Sequence, residues 1–278
     1  MSLENKVTVN THYTRSVNIE RDSASEEVVG SYIPTSRAVR TLGKVANTFH
    51  EKQAPRAWSL VGPYGSGKSS FSIFLSELLG QSESGSSKTA SKVLSKTNKE
   101  LSKKFSNEIK DSSGYLPVLI TGAPESLSGR IAKGFAEAVD NYWRDRRGKK
   151  PAFIDGFKKL AESEESISST ELLDLVKSMQ AHLEKNKTPG ILLIIDELGK
   201  FLEFEARHYG ANDIFLLQTL AEHACQGSKT NLLMFVLLHQ SFEQYAKGLG
   251  ESLKNEWAKM EIHLNYNPKK LYLLIYLY

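Results

Sequence analysis

A single cysteine, Cys225, is present in 278 residues, so no intramolecular disulfide framework can staple this chain. Uninterrupted apolar stretches are short as well. The longest is the eight-residue end Leu271–Tyr278, well under the roughly 18 residues a membrane-crossing helix needs. The first residues are polar and charged rather than apolar, unlike a secretory leader. Charge of one sign is also scarce: 36 Lys and Arg against 32 Asp and Glu leave +4, which permits nucleic-acid contact without demanding it. With 40% hydrophobic and 24% charged residues, the composition is that of a globular protein with enough chain for one large α/β core and an appendage. Together these absences point to a reducing, cytoplasmic setting and no membrane.

What the chain does have begins at Gly62. Residues Gly62-Pro63-Tyr64-Gly65-Ser66-Gly67-Lys68-Ser69-Ser70 satisfy G-x-x-x-x-G-K-[S/T] in full. Ala57–Val61 before it is a short apolar run suited to a buried strand. After it, Phe71, Phe74, Leu75, Leu78 and Leu79 recur at helical spacing. A polyphosphate needs several N–H donors converging without side chains in the way. Glycines let the backbone form such a nest at a helix amino end, where the helix dipole favours anions. Lys68 can then reach the β- and γ-phosphates, the Ser69 hydroxyl can ligate Mg²⁺, and Ser70 can bond the α-phosphate. The pattern predicts a nucleoside triphosphate site.

A second motif complements it. Gly190–Lys200 reads G-I-L-L-I-I-D-E-L-G-K, an aliphatic run typical of a parallel strand buried on both faces. Its carboxylates fall at the strand's carboxyl end, where α/β sheets bind ligands. Asp196 is expected to hold Mg²⁺, directly or through water, and Glu197 to orient and deprotonate the attacking water.

The two motifs in this order resemble a P-loop ATPase of the AAA+/ASCE type. More narrowly, Tyr32–Leu42, Gly62–Phe71, Asp196–Glu203 and Leu238–Tyr245 are similar to the amino-terminal ATPase domain of large bacterial ATPases associated with phage defence. The resemblance spans roughly residues 30 to 262. It implies a three-layer αβα sandwich around a mostly parallel sheet, ATP and Mg²⁺ as ligands, and base contacts from Tyr32, Ile33 and Pro34. It also implies a γ-phosphate sensor at the end of a later strand, for which His239 and Gln240 are both candidates because neighbouring strand residues face opposite ways. DNA, a nuclease or another defence partner, and a second copy of the chain at the nucleotide site are the implied partners.

The remaining chain is assigned around that core. Residues 1–32 read as an extended arm, with alternation through Val7, Val9, Val17 and Ile19. Thr35-Ser36 opens an amphipathic helix through Phe49. The ATPase core covers 33–267, with a Ser/Lys-rich insertion at about 81–114 that reads as a flexible linker followed by one amphipathic helix. Further strands are expected at Tyr115–Thr121, Asn231–Leu238 and Met260–Leu264, and helices at Ser126–Trp143, Leu172–Leu183, Leu198–Ala206 and Ile214–Ala224. The run from Arg144 to Lys150 reads as a solvated basic loop. The apolar tail 268–278 reads as part of a truncated lid or of a following domain, so the lid is taken as missing or cut short.

Two departures from the family pattern bear on rate. No arginine occurs between Ser241 and Lys259, where a trans-acting finger is expected; Lys247, Lys254 and Lys259 are the cations there, and Arg207 is another candidate finger. The chain is therefore expected to bind Mg²⁺–ATP and turn over slowly in isolation. A nucleotide-gated assembly switch with little turnover is the alternative. A small-molecule kinase lacks a visible acceptor site, and a GTPase lacks an N-K-x-D motif after a strand.

Overall fold

The computed structural model describes residues 16–51, 54–144, 150–163, 167–208, 213–241, 245 and 273–276. Two helices, α1 (Glu26–Ser31) and α2 (Ser36–Asn47), precede strand β1 (Ala57–Val61). The loop 62–67 leads into α3 (Lys68–Leu78), then α4 (Gly85–Thr97) and α5 (Lys99–Glu108). Strand β2 (Leu116–Thr121) is followed by α6 (Leu127–Trp143), α7 (Ala152–Ala161) and α8 (Ser169–Lys185). Strand β3 (Gly190–Asp196), α9 (Leu198–Arg207), α10 (Asp213–Gln226), β4 (Asn231–Leu238) and β5 (Leu273–Tyr276) complete the order.

The strands form one sheet in the order β2-β3-β4-β1-β5, with every pairing parallel. Alternate residues of these buried strands supply two separate cores. Val118, Ile120, Leu193, Ile195, Met234 and Val236 face the layer of α6 to α10. Trp58, Leu60, Leu192, Ile194, Leu233 and Phe235 face the layer of α1 to α5. The aliphatic runs carry no polar face because both faces are covered. This is the three-layer α/β sandwich expected from the sequence. Trp58 and Phe235, direct partners across β1 and β4, stack with ring centroids 4.6 Å apart and lock that register.

Several boundaries differ from the sequence reading. The insertion contains two capped helices rather than a linker and one helix. Ser84 accepts from Ser87 N–H and starts α4 inside the stretch read as flexible, and Asn98 caps α5. Leu94, Leu101 and Phe105 are buried, so this segment completes the core rather than decorating it. Its ends meet: Tyr115 N–H donates to the Leu79 carbonyl at 2.7 Å. Residues 16–31 do not extend as a free arm either. Ile19 and Val29 are buried, Asn18 and Glu20 bond to Thr121 at the end of β2, and Glu20 pairs with Arg130 at 2.6 Å. Helix α7 carried too short a pattern to be anticipated.

The tail backbone Leu273–Tyr276 lies beside β1 as a parallel edge strand, in the stretch that the sequence reading assigned to a truncated lid or a following domain. Its β-branched and aromatic residues suit a sheet edge better than an amphipathic helix. The fifth strand expected at Met260–Leu264, the first part of the extended arm with Val7 and Val9, most of the basic loop after Arg144, and Lys247, Lys254 and Lys259 lie outside the described residues.

Candidate nucleotide site

The carboxyl ends of β1, β3 and β4 meet where the strand order switches direction, and the P-loop begins there. Gly62 N–H donates to the Leu238 carbonyl at 3.1 Å, tying the loop to β4. Gly67 has φ 83°, a conformation that glycine tolerates and residues with a Cβ resist, and it hands the chain directly to α3. Lys68, 4% exposed, is folded over the loop. Its Nζ donates to the Gly62 carbonyl at 2.6 Å and the Pro63 carbonyl at 3.0 Å, and lies 3.4 Å from Ser66 Oγ and His239 Nδ1. Burial lowers the Lys68 pKa, against the opposing pull of Asp196 and Glu197.

Ser69 and the end of β3 are in direct contact. Ser69 Oγ donates to Asp196 Oδ2 at 2.6 Å, while Asp196 Oδ1 accepts from Glu197 N–H at 2.8 Å. Burial raises the Asp196 pKa, and the Ser69 bond works against that shift. Glu197 occupies the left-handed region at φ 53°, ψ 39°. That turn brings its carbonyl so close to Gly122, which follows β2, that a Cβ there would lie 2.2 Å from the Glu197 oxygen. The backbone thus stores strain at the residue expected to act on water.

His239 bridges the two halves. Its Nδ1 faces Lys68, and its Nε2 is 3.8 Å from Glu197 Oε1. The exposed Tyr64 ring stacks on it at 3.5 Å. Burial first, and then Lys68, lower the His239 pKa, which favours the neutral imidazole. The other Glu197 oxygen, Oε2, is held by the ammonium of Lys200 three residues on. Of the two sensor candidates, His239 contacts Lys68 and Glu197. Gln240, the next residue, is half-buried.

A cavity of about 330 Å³ opens from the loop toward the amino-terminal segment. Ser66, Gly67 and Ser70 form one wall, and Tyr32, Ile33 and Val17 stand on others. Tyr32 packs on Phe74 with centroids 4.5 Å apart, and burial raises its pKa. Pro34 is not among the lining residues, although Thr35 is. Val17 and Val28 also line it, a contribution the sequence reading missed because it set that segment apart. Lys200 was missed too; its i,i+3 spacing from Glu197 was the available signal.

The glycine loop, the Lys-Ser pair at a helix start and the Asp-Glu pair at a neighbouring strand end define a P-loop nucleoside-triphosphatase domain. Residues 40–207 match the model of the KAP family P-loop domain, and the chain belongs to that family. No curated protein and no solved structure matches the chain. Among the described residues, no helix is long and apolar enough to cross a membrane.

The residues fit a magnesium ion. Ser69 and Asp196 present two oxygen donors 2.6 Å apart, the hard-donor set Mg²⁺ prefers. Among the described residues, no group of three His, Cys, Asp or Glu side chains forms a metal cage. That suits an ion held by one or two protein oxygens, with substrate phosphates and water supplying the rest.

Proposed function

We propose that this chain binds ATP with Mg²⁺ and hydrolyses it to ADP and phosphate. The carrying observation is the convergence of Lys68, the Ser69–Asp196 pair, Glu197 and His239 at one end of the sheet. On binding, the triphosphate takes over the contacts Lys68 now makes to the Gly62 and Pro63 carbonyls, and the amides of Gly65 to Ser70 surround the phosphates. The base enters the cavity beside Tyr32 and Ile33. Mg²⁺ held at Ser69 and Asp196 offsets charge on the β- and γ-phosphates.

Glu197 orients a water and accepts its proton. The water oxygen bonds to the γ-phosphorus as the bond to the bridging oxygen breaks, and ADP departs with that electron pair. His239, neutral and set between Lys68 and Glu197, is the γ-phosphate contact at the end of β4. Gln240, beside it, is the second candidate for that contact. The resemblance to phage-defence ATPases supports work inside a larger cytoplasmic assembly acting on DNA or with a nuclease partner, and copies of the chain could meet at the nucleotide site.

Paired variants test the reading. Lys68→Ala should abolish binding of a fluorescent ATP analogue, because the buried cation is lost. Glu197→Gln should bind it as wild type does while hydrolysis falls by about 10²–10⁴-fold. Normal turnover in either variant would overturn the mechanism. The alternative, a nucleotide-gated switch with little turnover, is favoured by one observation: both Glu197 oxygens already face basic groups, Lys200 and His239. Tight ADP retention, with no hydrolysis by wild type, would select it.

A further inference from the structure

A second cavity, of about 450 Å³, lies along α9 beside the loop after β2. Pro124, Lys200, Glu203, Phe204, Arg207 and His208 line it. Three of these side chains are basic and one is acidic. Phe204 and His208 stack with centroids 4.0 Å apart and planes 21° from parallel, which sets a ring surface next to the cations. Cations beside stacked rings suit a ligand that carries both phosphates and flat bases. An acidic peptide would use the cations and leave the rings without a role. Lys200 belongs to this groove and also holds Glu197 Oε2.

We propose that this groove binds single-stranded nucleic acid, and that Lys200 reports its occupancy to the nucleotide site. A strand phosphate in the groove competes with Glu197 for the Lys200 ammonium. Drawing Lys200 outward removes the cation from Glu197 Oε2 and leaves the 3.8 Å approach of His239 to Oε1, so the carboxylate can align water. The unoccupied groove therefore holds the ATPase back, and a bound strand releases it. This coupling rests on the hydrolytic reading above, whereas the groove itself does not.

The test uses the full chain and a fluorescein-labelled oligothymidylate, read by anisotropy at low salt without nucleotide, together with steady-state ATP hydrolysis. Binding should weaken as salt rises, as phosphate contacts require. Arg207→Ala should weaken it by tenfold or more, and Glu203→Gln, which removes the groove's carboxylate, should tighten it. The oligonucleotide should raise wild-type hydrolysis several-fold. Lys200→Gln should raise the basal rate and abolish that stimulation. No anisotropy change at low salt, equal affinity for blunt duplex, or binding of polyglutamate in its place would overturn the groove assignment. Stimulation that persists in Lys200→Gln, or strand binding by a wild-type chain that never hydrolyses ATP, would overturn the coupling while leaving the groove standing. Hydrolysis without strand binding would sink the groove and leave the ATPase reading intact.

Discussion

Glu197 is held in a backbone conformation that few residues with a Cβ adopt, and it ends a strand at the point where the chemistry is expected. Left-handed backbone costs such a residue on the order of 1–2 kcal/mol relative to glycine. The greater freedom of glycine in the unfolded chain returns roughly 0.4–1 kcal/mol of that difference. Comparing Glu197→Gly with Glu197→Ala isolates the backbone term, since both remove the carboxylate and its contact with Lys200. The glycine variant should be the more stable of the two by roughly 0.5–1 kcal/mol in urea unfolding, with hydrolysis lost in both. Equal stabilities would mean that the turn relaxes, and that its geometry is not held by the close approach of Gly122.

Helices α8 and α10 are joined to the start of β4 through one polar chain. His223 Nε2 donates to Gln180 Oε1 at 2.7 Å, and Gln180 Nε2 donates to the Thr230 carbonyl at 2.6 Å. Burial, with a smaller contribution from Lys177, lowers the His223 pKa below its usual value near 6.5. Below pH 6.5 the unfolded chain therefore takes up a proton that the folded chain resists, and stability falls as the pH drops toward the lowered folded value. His223→Gln keeps an N–H donor for Gln180 and removes the titration. As the pH falls below about 6.5, its unfolding free energy should depend less steeply on pH than wild type, by at most about 1.4 kcal/mol per pH unit. Identical slopes would locate the acid sensitivity elsewhere. This network could not be read from the sequence, because Gln180 and His223 are 43 positions apart and neither stands in a motif. Strands β1, β3 and β4 could be read, because full burial on both faces leaves a continuous apolar run. The P-loop and the Asp-Glu pair were legible for a related reason: their chemistry is local along the chain. The stacking of Tyr64 on His239 and the packing of residues 16–31 against β2 arise only when distant segments meet. In the insertion, the spacing of Leu94, Leu101 and Phe105 was legible as one amphipathic helix, whereas the division at Asn98 and the start of α4 at Gly85 were obscured by serines and lysines that resemble a linker.

Taken as a whole, the molecule brings lysines to its nucleotide site. Among the described residues, Lys68 contacts the loop and His239, and Lys200 contacts Glu197. Arg207, on the last turn of α9, lines the neighbouring groove. A lysine is a compact point charge and cannot grip the γ-phosphate and the bridging oxygen together, as a guanidinium fork can. In P-loop hydrolases that fork is worth about 10³–10⁵ in rate. In a single-turnover experiment with dilute chain and excess Mg²⁺, hydrolysis should therefore proceed at on the order of 10⁻³ s⁻¹ or slower. Lys200→Gln should lift that figure without closing the gap, because it frees the base but supplies no fork. The rate per chain should climb when the protein is concentrated enough for a neighbouring copy to present an arginine. A rate on the order of 1 s⁻¹ from dilute chain, unchanged on concentration, would show that Lys68 and His239 suffice for the transition-state charge and that no neighbour is needed.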